Sequence, residues 1–214
     1  MKNLDLVIFD MDGLMLDTER RYADDIERVM RQLGVTVNME TLWESIGSSE
    51  FDEERFFVHI PAGIDAHAAM RQVVPDAVED MCRRGVPVKK GLNELMAALK
   101  ARGIPMVVAT STPIEYAGRL LCAAGLYDKL DFVMTRAEVA RGKPAPDIFL
   151  RACEKAGASP ARALVLEDSN NGGRAALAAG IRYIIVPDIN PPAVDVAQGA
   201  YAVAESLMAV VPMV

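Results

Sequence analysis

Two aspartates separated by one residue follow the first apolar segment of this 214-residue chain. Leu6 to Phe9 form an apolar run typical of a buried strand, and Asp10 and Asp12 come directly after it. Acidic groups beside a core cost free energy unless a cation or a reaction requires them there. Open α/β sheets bind their ligands at the carboxyl ends of strands. The pair therefore indicates a metal site or a reactive carboxylate, with simple capping of the next turn as the alternative.

A cluster of hydroxyl groups follows the second predicted strand of the same type. Thr110, Ser111 and Thr112 come after the apolar residues 105–109. Hydroxyls and free backbone N–H groups at a strand-to-helix turn are suited to bind phosphate oxygens. We predict that Thr110 and Ser111 bind phosphate, and the alternative for any one of them is a helix N-cap.

A lysine between restricted backbone segments comes next along the chain. Lys143 precedes Pro144, and Pro146 lies two residues further on. The two prolines restrict the backbone and would hold the lysine in one direction. Its positive charge suits a phosphoryl group whose negative charge is redistributed during transfer. We predict that Lys143 contacts phosphate; the alternative is an ordinary surface loop.

Two adjacent acids follow the apolar residues 163–166. Glu167 and Asp168 offer the oxygen ligands that Mg²⁺ prefers. Together with the groups at the other strand ends, they predict a phosphoryl-transfer site. One carboxylate would attack phosphorus, a second would handle the proton, and a metal, a lysine and a hydroxyl would balance the phosphate charge.

The elements that must position these groups alternate between strand and helix beyond residue 85. Strands are predicted at residues 105–109, Phe132–Thr135, 163–166, 181–186 and, weakly, 200–203. Several are continuous apolar runs, as expected for parallel strands buried on both faces. Helical patterns lie between them, for example at Leu92, Leu95, Met96 and Leu99. The rhythm predicts an α/β fold with a doubly wound, Rossmann-like parallel sheet.

Residues 16–85, which we call the insert, break this rhythm. They contain helical apolar stripes and no convincing strand, so we predict an all-helical domain placed after the first strand. The core domain would then comprise residues 1–15 and 86–214. Between Thr18 and Asp80 there are six Arg, no Lys and fourteen Asp and Glu, which gives −8 against −7 for the whole chain. The acidity therefore belongs to the insert.

Bulk properties restrict the class of protein. An apolar fraction of 51% is ample for a core, and no apolar run is long enough to span a bilayer. The first residues do not resemble a secretory signal, and three widely spaced cysteines suit reduced thiols, so we expect a cytoplasmic protein. The net charge of −7 argues against a nucleic-acid partner. A monomer is the default expectation.

The motifs as a group resemble those of the haloacid dehalogenase-like hydrolases, in particular the branch of β-phosphoglucomutases and small-metabolite phosphatases with a helical cap. Residues 10–19 match the first family motif. Thr110, Lys143 and the pair Glu167–Asp168 fall on the second, third and fourth motifs. The resemblance extends over nearly the whole chain, including the position of the cap.

This resemblance implies a role for each motif residue. Asp10 would be the nucleophile that becomes an aspartyl phosphate, and Asp12 would act as the general acid and base. Mg²⁺ would be held by Asp10, the main-chain carbonyl of Asp12, Asp168 and Glu167. The substrate would be a small phosphorylated metabolite, such as a sugar phosphate or a nucleoside monophosphate.

Two other functions remain as alternatives. A phosphosugar mutase of this family would need a second cationic site, yet Tyr22 stands where β-phosphoglucomutases carry histidine. Their cap-loop arginine corresponds to residues 46–50, which contain none. A receiver-like phosphate-binding module also uses a strand-end Asp, a hydroxyl and a Lys. It lacks both the acid two residues later and the insert, so a phosphatase is the favoured interpretation.

Overall fold

The computed structural model of the protein describes residues 4–46 and 51–214. Its strands, in chain order, are β1 (Leu6–Phe9), β2 (Thr36–Val37), β3 (Phe57–His59), β4 (Met106–Thr110), β5 (Phe132–Thr135), β6 (Ala163–Glu167), β7 (Arg182–Ile185) and β8 (Ala202–Val203). Its α-helices are α1 (Thr18–Gln32), α2 (Met39–Ser45), α3 (Glu53–Phe56), α4 (Ala66–Arg84), α5 (Leu92–Ala101), α6 (Ile114–Ala123), α7 (Asp147–Ala156), α8 (Asn170–Ala178), α9 (Val194–Gly199) and α10 (Leu207–Val210).

Six strands form one sheet in the order β5-β4-β1-β6-β7-β8, and every neighbouring pair is parallel. This is the doubly wound, Rossmann-like order, so the predicted fold class is confirmed. The direction of winding reverses between β1 and β6, which is the point where such sheets bind ligands. The predicted strands agree with the observed ones to within one or two residues at each end.

The strands of this sheet are buried on both faces. Leu6 and Ile8 of β1 pack under α7, α8 and α9, whereas Val7 and Phe9 pack under α5, α6 and α10. Successive side chains of a strand point to opposite faces, so a continuous apolar run can supply both layers. The sheet is therefore rigidly held between two helical layers, and its strand ends are fixed in space.

The insert contains α1 to α4 and a hydrophobic cluster of its own. Ile26, Met30, Leu42, Phe56 and Val73 are among the buried members of that cluster. The prediction that the insert contains no strand is wrong, because β2 and β3 pair in an antiparallel ladder. Strands of two and three residues are too short to show an alternating pattern in the sequence.

The two chain crossings between the insert and the sheet lie side by side. Asp17 N donates to Pro87 O at 2.9 Å, and Lys89 N donates to Met15 O at 2.9 Å. The insert also packs on the sheet layer through α4. Its residues Ala77, Val78 and Met81 share one apolar cluster with residues of α6. These contacts set the position of the insert over the carboxyl ends of the strands.

One expectation about the insert lies outside the described residues. The cap loop compared above with that of mutases runs into residues 47–50, for which no structure is described. Across the described ranges, every helix lacks either the length or the hydrophobicity needed to cross a membrane.

Candidate active site

A cavity of about 420 Å³ opens at the carboxyl ends of β1, β4 and β6. Six of the seven predicted site residues line it: Asp10, Asp12, Thr110, Ser111, Lys143 and Asp168. They come from segments that are up to 158 residues apart in the sequence. The seventh, Glu167, lies behind the cavity wall and is fully buried.

Asp10 continues β1 into the cavity. Its backbone N–H donates to Leu166 O of β6 at 2.9 Å, so strand pairing holds the residue in place. One carboxylate oxygen, Oδ1, accepts a hydrogen bond from Lys143 Nζ at 2.5 Å. Among the described residues, none donates to the other oxygen. Asp10 therefore presents one oriented carboxylate oxygen that is free to react.

Lys143 is a buried cation with three acceptors. Its Nζ donates to Asp10 Oδ1, to Glu167 Oε1 at 2.6 Å and to Ala109 O at 3.0 Å. Burial acts to lower the pKa of the lysine. Asp10 and Glu167 outweigh that effect and raise the pKa above its usual value. The lysine is therefore charged at neutral pH.

The Glu167 side chain accepts a hydrogen bond from Lys143 in this structure, and it does not face the cavity. Its Oε2 accepts hydrogen bonds from Asp168 N, Ser169 N and Ser169 Oγ at 2.9–3.0 Å, while Oε1 accepts from Lys143. A Cβ atom on Gly172 would lie 1.7 Å from Oε1, so the close approach of α8 requires a glycine there. The expectation that Glu167 binds the metal directly therefore needs a different conformation of this side chain.

Asp12 is held by two hydroxyl groups from different elements. Thr18 Oγ1, at the start of α1, donates to Asp12 Oδ1 at 2.5 Å. Thr112 Oγ1, beyond the end of β4, donates to Asp12 Oδ2 at 2.6 Å. Burial raises the pKa of Asp12, and the two hydroxyl groups partly oppose that rise. A raised pKa favours the protonated form of this carboxyl group, which is the form that a general acid needs.

Replacing Thr112 with valine should lower the free energy of unfolding by about 1–3 kcal/mol, because a buried acceptor on Asp12 loses its donor while the side-chain shape is kept. Chemical denaturation measures this change. Thr112→Ser is the matched control and should keep most of the stability. Equal stability of the valine and serine variants would contradict the role assigned to the hydroxyl.

Thr110 and Ser111 occupy the turn between β4 and α6. Thr110 is buried, and its Oγ1 accepts a hydrogen bond from Thr112 N at 3.0 Å. That bond shapes the turn so that Thr112 reaches Asp12. Ser111 is exposed and also lines the cavity. Both hydroxyl groups are placed within the same cavity as Asp10, as the phosphate-binding prediction requires.

Asp168 faces the loop that follows β1. Gly13 has φ of +80°, and a Cβ atom there would lie 2.2 Å from Asp168 Oδ2, so only glycine fits between the two. Burial raises the pKa of Asp168 well above its usual value, and the nearby acids Glu167, Asp10 and Glu19 raise it further. Burial likewise raises the pKa of Asp10 to about 8, with Lys143 opposing and Glu167 adding to the rise.

These acids outnumber their cationic partner, and this imbalance fits a bound divalent cation. Asp10 and Asp168 would supply hard oxygen ligands, and Mg²⁺ commonly retains water on its remaining positions. Within the described ranges, no group of three or more His, Cys, Asp or Glu side chains is arranged as a complete metal cage. A site formed by the carboxylates of Asp10 and Asp168 and the main-chain carbonyl of Asp12 contains only two such side chains, so it is compatible with that result. The donor chemistry thus accommodates Mg²⁺.

Sequence reasoning missed four further residues that line the cavity: Glu19, Tyr22, Arg136 and Asn171. Glu19 and Tyr22 are one helical turn apart on α1 and so share a face. A signal was present for Glu19, which directly follows Thr18 in the first motif. Tyr22 had a signal too, since it stands where β-phosphoglucomutases carry histidine. For Arg136 and Asn171 the sequence alone gives no signal, since they reach the cavity only through the packing of the fold.

Polar contacts join the insert to the loop after β7. Asp188 Oδ1 accepts from Arg20 Nη2 of the insert at 3.0 Å, and it also accepts from Lys89 Nζ of the core domain at 2.7 Å. Asn190 Nδ2 donates to Trp43 O at 2.8 Å and to Ile46 O at 3.2 Å, at the C-terminal end of α2. The loop follows β7, whereas α6 follows β4, and these two strands lie on opposite sides of β1 in the sheet.

Comparisons with known proteins find hydrolases and phosphatases that are similar to this chain. A family model described as haloacid dehalogenase-like hydrolase matches residues 4–180. The chain is 33% identical over 191 residues to a probable pseudouridine-5'-phosphatase of Drosophila melanogaster, over 85% of this chain and 80% of that protein. It is 28% identical over 201 residues to a phosphorylated carbohydrates phosphatase of Thermotoga maritima, over 93% of each chain.

A solved structure also has the same fold. The crystal structure of CbbY from Rhodobacter sphaeroides in complex with phosphate superposes with a TM-score of 0.77 at 28% identity. The match covers 97% of this chain and 96% of that one. Because the family model spans most of the sequence, the chain belongs to the haloacid dehalogenase-like hydrolases.

Proposed function

We propose that this protein is a Mg²⁺-dependent phosphatase that hydrolyses the phosphomonoester of a small metabolite through an aspartyl phosphate on Asp10. The observation that carries the proposal is the pair formed by Asp10 and Asp12 at one cavity. The first is oriented by a buried lysine, and the second is held by two hydroxyl groups. The family membership and the phosphatase relatives support the same conclusion.

The first half of the reaction transfers the phosphoryl group to the protein. The free Asp10 oxygen attacks phosphorus, and the bond from phosphorus to the ester oxygen breaks. Asp12 donates its proton to that departing oxygen, so the product leaves as a neutral alcohol. Lys143, with the hydroxyls of Thr110 and Ser111, balances charge on the remaining phosphoryl oxygens.

The second half releases phosphate. Asp12, now a carboxylate, takes a proton from a water molecule, whose oxygen attacks phosphorus. The bond between phosphorus and Asp10 breaks, which regenerates the carboxylate and forms inorganic phosphate. Mg²⁺ held by Asp10, Asp168 and the Asp12 carbonyl would neutralise charge on the phosphoryl group and orient it.

The direct test is phosphate release from a panel of phosphomonoesters, with Mg²⁺ or with a chelator. We expect release that stops in chelator and returns with added Mg²⁺. Full activity in chelator would contradict the metal requirement. Hexose phosphate interconversion faster than phosphate release would favour a mutase instead.

Mg²⁺ should raise the melting temperature more at about pH 8 than at about pH 5.5, because metal ligands must be deprotonated. The folded-state pKa of Asp10 is about 8, against an ordinary value of 3.8. Asp10 thus binds its proton more tightly in the folded protein than in the unfolded protein. This difference stabilises the metal-free fold fully below pH 3.8, and the stabilisation is lost as the pH rises through about 8. Mg²⁺ offsets this loss where the carboxylate is ionised. Each kcal/mol of stabilisation should shift the melting temperature by about 2–4 °C.

Thermal denaturation at both pH values, with and without Mg²⁺, measures this difference. Asp168→Asn is the variant that should remove most of the Mg²⁺ effect, since it loses one ligand charge at nearly constant shape. A Mg²⁺ shift of equal size at both pH values in the unaltered protein would refute the assignment of ionisable carboxylate ligands.

A further inference from the structure

Arg136 lines the cavity together with Lys143, and its side chain is bound to the chain segment that leads into that lysine. The guanidinium donates from Nη1 to Val139 O at 2.7 Å and from Nη2 to Ala140 O at 3.0 Å. Both acceptors belong to residues 139–142, which directly precede Lys143 and which we call the lysine loop. One side chain therefore holds two consecutive carbonyl groups of the lysine loop.

The same side chain lies against the backbone of Gly142. A Cβ atom on Gly142 would lie 2.7 Å from both Cδ and Nε of Arg136, which is too close for non-bonded atoms. Gly142 does not have a positive φ, so its backbone conformation does not require glycine. The requirement for a small residue thus comes from the Arg136 side chain, which occupies the space beside the residue that precedes Lys143.

The backbone of Arg136 is held at the end of a sheet strand. Arg136 directly follows β5 and begins a short 3₁₀ helix, Arg136–Glu138. Thr135, the buried last residue of β5, donates from its backbone N–H to Glu138 Oε1 at 3.0 Å. This hydrogen bond ties the short helix back to the strand end. Arg136 therefore links the edge of the sheet to the lysine loop.

The guanidinium group suits this link. It is planar and presents several donors in a fixed geometry, whereas an ammonium group is a compact point charge. Among the described residues, no carboxylate forms an ion pair with Arg136, although four acids line the same cavity. The hydrogen bonds to the two loop carbonyls are thus the polar contacts that the structure gives this side chain.

The contacts of Lys143 depend on the position of the loop that Arg136 holds. The lysine Nζ reaches three acceptors on other segments, Asp10 Oδ1, Glu167 Oε1 and Ala109 O, and its side chain is only 6% exposed. A lysine side chain is flexible, so these contacts require a backbone that stays in one place. A displacement of about 1 Å at a reacting site can cost about 10²-fold in rate.

We infer that Arg136 is a positioning residue for Lys143: its guanidinium holds the lysine loop so that the lysine charge faces the phosphoryl group. Arg136 acts through Lys143 and not through contact with the body of the substrate. This inference rests on the proposed phosphatase function and adds a residue to the proposed active site. Because all substrates share the phosphoryl group, a change at Arg136 should slow every substrate by the same factor.

Arg136→Lys keeps the positive charge and removes the planar group that binds two carbonyls. It should lower kcat by about 10–100-fold on both p-nitrophenyl phosphate and glycerol 3-phosphate, whose bodies differ. Arg151→Lys is the matched control, since Arg151 is exposed on α7 and is not among the residues that line the cavity. It should retain the kcat of the unaltered protein. Full kcat in Arg136→Lys would overturn the inference, because charge alone would then suffice.

Two further variants test whether the effect passes through Lys143. In a protein that already carries Lys143→Met, Arg136→Lys should change kcat by less than about twofold, because the group that it positions is gone. Gly142→Ala should reproduce the loss caused by Arg136→Lys, since the added methyl group takes the space of the arginine side chain. Multiplied losses in the double variant, or full activity of Gly142→Ala, would contradict the inference.

Chemical labelling gives a readout that does not depend on turnover. Lys143 is buried, so in the unaltered protein it should react slowly with acetic anhydride, as followed for each lysine by mass spectrometry. In Arg136→Lys this reaction should become severalfold faster. Lys89, which is 23% exposed and paired with Asp188, is the internal reference, and its rate should stay unchanged. An equal rise at both lysines would show general loosening of the fold and would exclude a specific positioning role.

The outcomes separate the inference from the function on which it rests. If kcat falls while Lys143 labelling stays unchanged, or if the losses differ between the two substrates, Arg136 acts on the substrate directly and this inference alone fails. If the unaltered protein hydrolyses neither substrate in the presence of Mg²⁺, the proposed function fails. The labelling of Lys143 then decides whether Arg136 positions the lysine.

Discussion

Asp10→Asn should reduce phosphate release from every substrate by about 10⁴-fold or more, because an amide does not form the acyl phosphate and the nucleophile acts with the rest of the site as a unit. The fold should persist. The amide has nearly the shape of the carboxylate, and Lys143 keeps its hydrogen bonds to Glu167 and Ala109. Phosphate release measures the effect on turnover, and the melting temperature measures the effect on the fold.

The control for this variant is Asp128→Asn, because Asp128 is exposed and is not among the residues that line the cavity. It should retain full turnover. Unaltered phosphate release by Asp10→Asn would exclude Asp10 as nucleophile and, with it, the aspartyl phosphate. Loss of both turnover and folding would show instead that the carboxylate is needed for structure.

Lys143→Met should reduce kcat by roughly 10³-fold and lower the free energy of unfolding by about 3–5 kcal/mol at neutral pH. The catalytic loss follows because the charge facing the phosphoryl group disappears. The loss of stability follows because Asp10 and Glu167 remain buried without their shared cation. The loss of stability should shrink at lower pH, since Asp10, whose pKa is raised by burial, requires no counter-charge once protonated.

The double variant Lys143→Met with Glu167→Gln separates the two effects. It removes the charge of Glu167 and leaves only that of Asp10 without a cation. Part of the free energy of unfolding should therefore return, while turnover stays low. Lys100→Met is the surface control, because Lys100 is exposed at the end of α5, and it should match the unaltered protein. If Lys143→Met were as stable as Lys100→Met, the buried ion pairs of Lys143 with Asp10 and Glu167 would not stabilise the fold.

The sequence predicted the residues that follow strands most successfully. Asp10, Thr110 and Asp168 each come at or just after the end of an apolar run. Since parallel strands end at one edge of a sheet, their convergence followed from the fold class. Lys143 was identified because the neighbouring prolines indicate a restricted loop. They do not indicate which groups the lysine contacts.

The roles of Glu167 and Glu19 were less accessible. Glu167 is the last residue of β6, and adjacent strand residues point to opposite faces, so it turns toward Lys143 while Asp168 faces the cavity. From two adjacent acids in a sequence one cannot tell which side chain faces the cavity and which one is buried behind it. Glu19 reaches the cavity through the docking of the insert, which depends on contacts between residues far apart in sequence.

The contacts that hold the insert differ in kind on its two sides. On one side, α4 shares an apolar cluster with α6; on the other, Asn190 and Asp188 hold α2 and α1 by hydrogen bonds and ion pairs. Water can replace the polar bonds, but it cannot replace the apolar contact, so the polar side costs less free energy to separate. We therefore expect the insert to separate first at the Asn190 contacts with α2, while the apolar contact between α4 and α6 stays in place. Asn190 is not among the residues that line the cavity, yet we expect it to affect how readily that cavity opens.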